Sequence, residues 1–166
     1  MFKKVFWPKS DLPIARGGLH KPLEIRIYLL CYRFVTVLIS LFPFLSDLSF
    51  NSLLHVDEDS FQNVTSVKTL RLDFNFLRAL PVGALKGLPN LRVLDLGRNL
   101  LRVVFGEMLD GLSNLEVLSF RSNQIELLEY GAFKNKSNMT HLYLQHNKLK
   151  EVSNGMFKDL MNLKVL

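Results

Sequence analysis

The sequence predicts an α/β solenoid: stacked coils with a parallel β-sheet on a concave face and mostly irregular or short helical segments on the convex face. Three observations predict it. Asparagine recurs every 24 residues, at Asn51, Asn75, Asn99, Asn123 and Asn147. Aliphatic columns keep step with it: Val67, Leu91, Leu115, Met139 and Leu163; Leu70, Leu94, Leu118, Leu142 and Leu166; Leu72, Leu96, Phe120 and Leu144. Ten residues after each Asn comes a bulky apolar residue, Phe61, Leu85, Leu109, Phe133 or Phe157. Agreement of this many columns over four to five units marks one repeated structural unit, where a single apolar triplet would not.

Along the chain, residues 1–26 form a basic leader expected to be disordered. Residues 1–45 hold seven Lys/Arg against two acids, whereas the remainder holds 14 basic and 13 acidic side chains. The net charge of +6 is thus concentrated ahead of the repeats. A nucleic-acid footprint needs clustered Lys/Arg on the folded surface, so no nucleic-acid partner is expected.

Residues 27–45 are nearly all apolar and admit three readings. The nineteen residues just span a bilayer as a signal anchor, although Arg33 interrupts them. As a cleaved signal peptide they have a long basic leader and a poor cleavage site at Phe44-Leu45-Ser46. Third, Ser40-Leu-Phe-Pro-Phe-Leu-Ser46 can be written in pyrimidine-rich codons, as a translated intron would be, with the repeat register improving at Asp47. This third reading is preferred. Uninterrupted transcript reads across the codons for residues 40–50 would refute it. The lone Cys31 lies in this stretch and rules out an intrachain disulfide or multi-Cys zinc site.

The repeats occupy residues 46–166. Within each, the alternation of Leu94-x-Leu96 type has strand period two, which turns the two leucines inward and their neighbours outward. The Asn amide can then bond backbone groups of the turn in its own coil and the next. Further aliphatic columns follow at Leu53, Leu77, Leu101, Ile125 and Leu149, then at Val56, Leu80, Val104, Leu128 and Val152. Gly83, Gly106, Gly131 and Gly155 fall on the return segment, where positive φ or close approach favours glycine. Two departures stand out. Lys136 occupies a column otherwise held by Leu88, Leu112 and Leu160, predicting a looser, more exposed return segment there. Pro43 and Ser46 sit at the inward positions of the first unit, whose strand is half specified.

Leu91-x-x-Leu94-x-Leu96-x-x-Asn99-x-Leu101 resembles a leucine-rich repeat. The tail, Leu80-Pro81-x-Gly83-x-Leu85-x-x-Leu88-Pro89-Asn90-Leu91, is similar to the 24-residue class of extracellular animal proteins, among them Toll-like receptors, Slit-type guidance proteins and small matrix proteoglycans. The resemblance covers roughly residues 47–166. It implies a leucine-rich-repeat horseshoe that binds a protein ligand or matrix component, in a receptor or matrix protein outside the cell or on its surface. A cytoplasmic scaffold is the alternative. It also implies end caps: the chain stops mid-strand at Leu166, so the repeats read as uncapped there, with marginal stability. A membrane link through residues 27–45 or a missing downstream segment stays open.

The register gives the outward residues. Those expected to contact a partner are Arg71, Asp73, Phe74, Arg92, Asp95, Arg98, Arg121, His141, Tyr143 and His146. Arg71 and Asp95 can also simply pair across strands. His141 and His146, five apart, make a poor metal pair, and neither metal nor cofactor is expected. Three sequons, Asn63-Val-Thr65, Asn135-Lys-Ser137 and Asn138-Met-Thr140, lie off the outward strand positions and point to the secretory pathway. Asn138 also has a structural reading, since Asn90, Asn114 and Asn162 share its repeat position. No nucleophile elbow, phosphate loop or placed carboxylate pair appears, so no enzymatic activity is expected.

Overall fold

The computed structural model describes residues 47–166. The basic leader, the apolar segment 27–45, Cys31, Pro43 and Ser46 lie outside the described residues. No described helix is long and apolar enough to cross a membrane.

Four three-residue strands form one parallel sheet: β1 (Thr69–Arg71), β2 (Val93–Asp95), β4 (Val117–Ser119) and β6 (His141–Tyr143). Their register steps by 24 residues: Leu70 lies beside Leu94, Leu94 beside Leu118, Leu118 beside Leu142. Isolated parallel bridges extend the sheet one coil each way, from Arg71 to Asp47 and from His141 to Val165. The middle residue of each strand is buried and its neighbours are half-exposed, as period two requires. This is the solenoid that the register predicts.

A second, two-stranded parallel sheet was not predicted. It pairs β3 (Val103–Val104) with β5 (Leu127–Leu128) beyond the Asn turn. On the return segments the only described helix is a single 3-10 turn, Gly106–Leu109. The rest is turns closed by short-range bonds such as Leu88 N–H to Leu85 C=O.

The core is one continuous apolar cluster running through the coils. Leu70, Leu94, Leu118 and Leu142 from the strands meet Leu77, Leu101 and Ile125 after the turn and Phe61, Leu85, Leu109 and Phe133 on the return. No coil buries its own faces, and the last one shows the consequence. Val152 is 51% and Leu166 58% exposed, whereas their counterparts Val104 and Leu94 are at 0%.

The Asn column is a ladder. Asn99 Nδ2 donates to Leu96 O in its own coil at 3.1 Å and to Leu72 O in the preceding coil at 2.9 Å, while Leu77 N–H donates to Asn99 Oδ1 at 3.0 Å. Asn75, Asn123 and Asn147 repeat the pattern. The neighbour reached by each amide is the preceding coil rather than the next. Asn51 donates to Leu48 O and Ser49 O within its own coil.

Two expectations about the return segments are corrected. Lys136 does not loosen its coil. It stays in the column and is only 6% exposed, its Nζ donating to Lys134 O at 3.3 Å, because the flanking coils hold the segment in register. Gly106 is not left-handed. It lies one residue off the column of Gly83, Gly131 and Gly155, which do have positive φ, and it opens the 3-10 turn. The close approach belongs instead to Gly87, where a Cβ would lie 1.9 Å from the carbonyl oxygen of Phe61.

Candidate functional site

The outward residues fall into columns across the strands about 4.8 Å apart, because each coil advances the register by one repeat. The column at the end of each strand runs Asp47, Arg71, Asp95, Ser119 and Tyr143. The next runs Asp73, Gly97, Arg121 and Gln145, and the turn beyond it carries Phe50, Phe74, Arg98, Ser122 and His146.

The first half of this surface is internally satisfied. Arg71 binds Asp73 through Nε and Nη2 at 3.2 Å each, and its Nη1 lies 3.7 Å from Asp47. The pairing expected with Asp95 is not the one formed. Asp95 lies beside Arg71 in register, but its Oδ1 accepts the Gly97 N–H at 2.9 Å. Asp73 is not presented to a partner either. It is 4% exposed beneath the Arg71 guanidinium, since a short side chain at the strand end is covered by its longer neighbour.

Burial raises the Asp73 carboxyl above the usual carboxylate range and repulsion from Asp95 adds to this, together outweighing Arg71. Burial acts to lower the Arg71 guanidinium, but the bond to Asp73 and attraction to Asp73, Asp47 and Asp95 raise it overall. The two partners thus disagree: Arg71 gains from the pair, whereas Asp73 is set by its burial.

The turn column is exposed and less committed. The Phe50 and Phe74 rings stack with centroids 3.9 Å apart, and the Arg98 guanidinium lies 4.7 Å from the centre of the Phe74 ring. Phe50, Phe74, Arg98, Ser122 and His146 all have φ between 51° and 59°. Such backbone costs a non-glycine residue about 1–3 kcal/mol and persists only where its surroundings impose it. The ladder Asn that follows each residue imposes it here. Phe50 belongs to this row and was missed, although counting back one repeat from Phe74 finds it.

The other expected contact residues divide. Arg92 is exposed and pairs with Glu116 at 2.7 Å. Arg121 is exposed on the column next to Arg98. His141 and Tyr143 share β6 with ring centroids 6.2 Å apart, and His141 Nδ1 lies 2.8 Å from Thr140 Oγ1. His146 is exposed at the turn, one coil beyond Ser122. Among the described residues, no group of three or more His, Cys, Asp or Glu side chains could hold a metal ion.

All three sequon asparagines are exposed on return segments. Asn63 and Asn135 have φ of 61° and 59°, at the repeat position that Gly111 fills with φ of 83°. Asn138 Nδ2 donates to Ser113 O at 3.0 Å, one rung of a second ladder formed by Asn90, Asn114 and Asn162. Each sequon Asn therefore has a conformational role as well.

A family model described as leucine rich repeat matches residues 65–125 and 113–166, more than half of the chain. The chain belongs to the leucine-rich-repeat family. No curated protein matches it. Among solved structures it is similar to the chain in "Crystal structure of TLR13-ssRNA13 complex", with 26% identity and a TM-score of 0.65. The match covers 70% of this chain and 16% of that one, so this chain spans a small part of that chain's length. In all, 238 solved chains match, so the likeness selects an architecture and not a ligand.

Proposed function

We propose that the chain is a non-enzymatic binding module that takes a protein ligand on its concave face, as part of an extracellular or cell-surface receptor or a matrix protein. One observation carries this reading. The turn edge of the sheet presents Phe50, Phe74 and Arg98 as a stacked, exposed row with Arg121 beside it, while Asp47 and Asp73 of the same face are drawn to Arg71. Aromatic and arginine side chains held in place lose little freedom on binding and carry most interface energy.

The similar structure is titled as a complex with single-stranded RNA, which weighs against setting nucleic acid aside on charge alone. The near-neutral balance of residues 46–166 supports a protein ligand instead.

The test is secretion of the full chain from animal cells, with glycan occupancy at Asn63, Asn135 and Asn138 measured by mass spectrometry. The product is then screened against displayed ectodomains and matrix proteins, with a single-stranded RNA arm. Secretion with occupied sites and a protein hit lost in Phe74→Ala and Arg98→Ala supports the reading. Empty sites after secretion favour the cytoplasmic scaffold, and a strongly salt-dependent RNA complex replaces the protein ligand.

A further inference from the structure

On the return side, away from the four-stranded sheet, residues 106–113 and 129–136 of two successive coils line a half-open recess of about 480 Å³. It is open partly because Gly131 has no side chain, and a Cβ there would meet nothing within 4 Å. Glu129 Oε2 straps the two segments by accepting the Gly106 N–H at 3.1 Å. Glu107 and Asp110 line one side, Lys134 and Lys136 the other.

Lys136 is the unusual member. Its column otherwise holds Val64, Leu88, Leu112 and Leu160, yet a lysine is buried here, which is unfavourable for its ammonium unless something compensates. Of its three N–H donors, one reaches Lys134 O at 3.3 Å. Among the described residues it has no other partner, and Asp110 acts on it only as a nearby charge. Two donors of a residue that lines the recess are therefore unspent.

The lining selects among ligands. Its carboxylates do not group so as to hold a metal ion. Three carboxylates against two ammonium groups disfavour an anion, and a wholly apolar molecule would leave these charged groups desolvated without partners. A neutral molecule rich in hydroxyls satisfies both kinds of wall: its O–H groups donate to Glu107, Asp110 and Glu129, and its oxygens accept from Lys136. Asn135, the exposed sequon residue, stands on the rim of the same recess.

We propose that this recess seats a neutral saccharide built on N-acetylglucosamine, with Lys136 as its buried donor and the three carboxylates as acceptors. The sugar comes either from the glycan carried by Asn135 or from another molecule. The site is separate from the concave face, so its failure leaves the protein-ligand reading untouched, and the reverse holds as well.

Full chain made without glycans is titrated with N,N′-diacetylchitobiose by saturation-transfer NMR, alongside the acylation rate of Lys136 read by mass spectrometry. The disaccharide is expected to bind and to slow acylation at Lys136. Lys136→Leu restores the residue of the neighbouring coils, keeps the fold, and is expected to weaken binding by ~10-fold or more. In chain from animal cells, slower acylation at Lys136 than in Asn135→Gln identifies the chain's own glycan as the occupant. Disaccharide binding with an empty Asn135, or with no such protection, identifies an external saccharide. Absence of both binding and protection overturns the proposal, as does binding that Lys136→Leu leaves unchanged.

Discussion

Asn99→Ala tests what joins one coil to the next. The Asn99 side chain is 4% exposed and makes bonds to Leu72 O, Leu96 O and Leu77 N–H. Alanine leaves the buried Leu77 N–H without its acceptor, whereas Leu72 O keeps Asn75 Nδ2 at 3.0 Å and Leu96 O keeps Asn123 Nδ2 at 2.9 Å. The orphaned donor costs about 1–3 kcal/mol and each bond lost at a carbonyl about 0.5–1.5 kcal/mol, so the loss is roughly 2–6 kcal/mol against a total of roughly 5–15 kcal/mol for a domain. Asn99→Asp refines the test. It keeps the acceptor but turns a carboxylate oxygen toward the Leu72 and Leu96 carbonyls. That raises its folded-state pKa above the unfolded value of about 3.9. The native state then binds more protons than the unfolded state in the window between the two values. Stability therefore falls as pH rises through that window and recovers on acidification. Urea unfolding of the full chain, followed by far-UV circular dichroism at neutral and mildly acidic pH, reads both effects, with hydrogen exchange at Leu77 as the local probe. A loss below about 1 kcal/mol in Asn99→Ala, or unchanged protection at Leu77, would refute the ladder as the inter-coil fastening.

Lys136→Leu is expected to raise unfolding stability by about 1–3 kcal/mol at neutral pH, by burying apolar area where an ammonium is now desolvated. Burial lowers the Lys136 pKa, with Asp110 opposing, so the charged form is penalised in the fold. Wild-type stability therefore gains as pH rises from the lowered folded value toward the unfolded one near 10.4, and the gap between the two proteins should narrow there. Asp73, whose pKa is raised by burial and by Asp95, has the opposite sign. Its contribution is fully present below the unfolded carboxylate value and is lost as pH rises through the raised one, so Asp73→Asn should flatten the denaturation profile over that mildly acidic window. Gly87→Ala should unfold the chain or cost more than about 3 kcal/mol, because the new Cβ meets Phe61 backbone. Gly131→Ala meets nothing and should cost only about 1 kcal/mol from its φ of 81°, so equal losses in thermal melts would contradict the close-approach argument.

The sequence by itself determined the register, and the register determined most of the rest. A spacing of 24 residues fixed Leu70, Leu94, Leu118 and Leu142 as inward strand centres and placed the Asn ladder, because a period-two strand and a buried amide tolerate no slippage. It also found the outward face, although not which of its residues are available to a partner. Asp73 and Gly97 sit at outward positions yet are buried, since exposure there depends on the side chains beside them, such as Arg71 lying over Asp73 in the same coil. Arg71 chose Asp73 and Asp47 over Asp95 for the same reason: a single-sequence reading gives Cα neighbours, while an ion pair depends on rotamers and competing bonds. The stacked row of Phe50, Phe74 and Arg98 needed the left-handed turn that brings equivalent residues of successive coils face to face. Lys136 shows the limit most plainly. Its charge predicted exposure, but the coils on either side hold its backbone in the leucine column, and only their stacking decided that the ammonium is buried beside a recess.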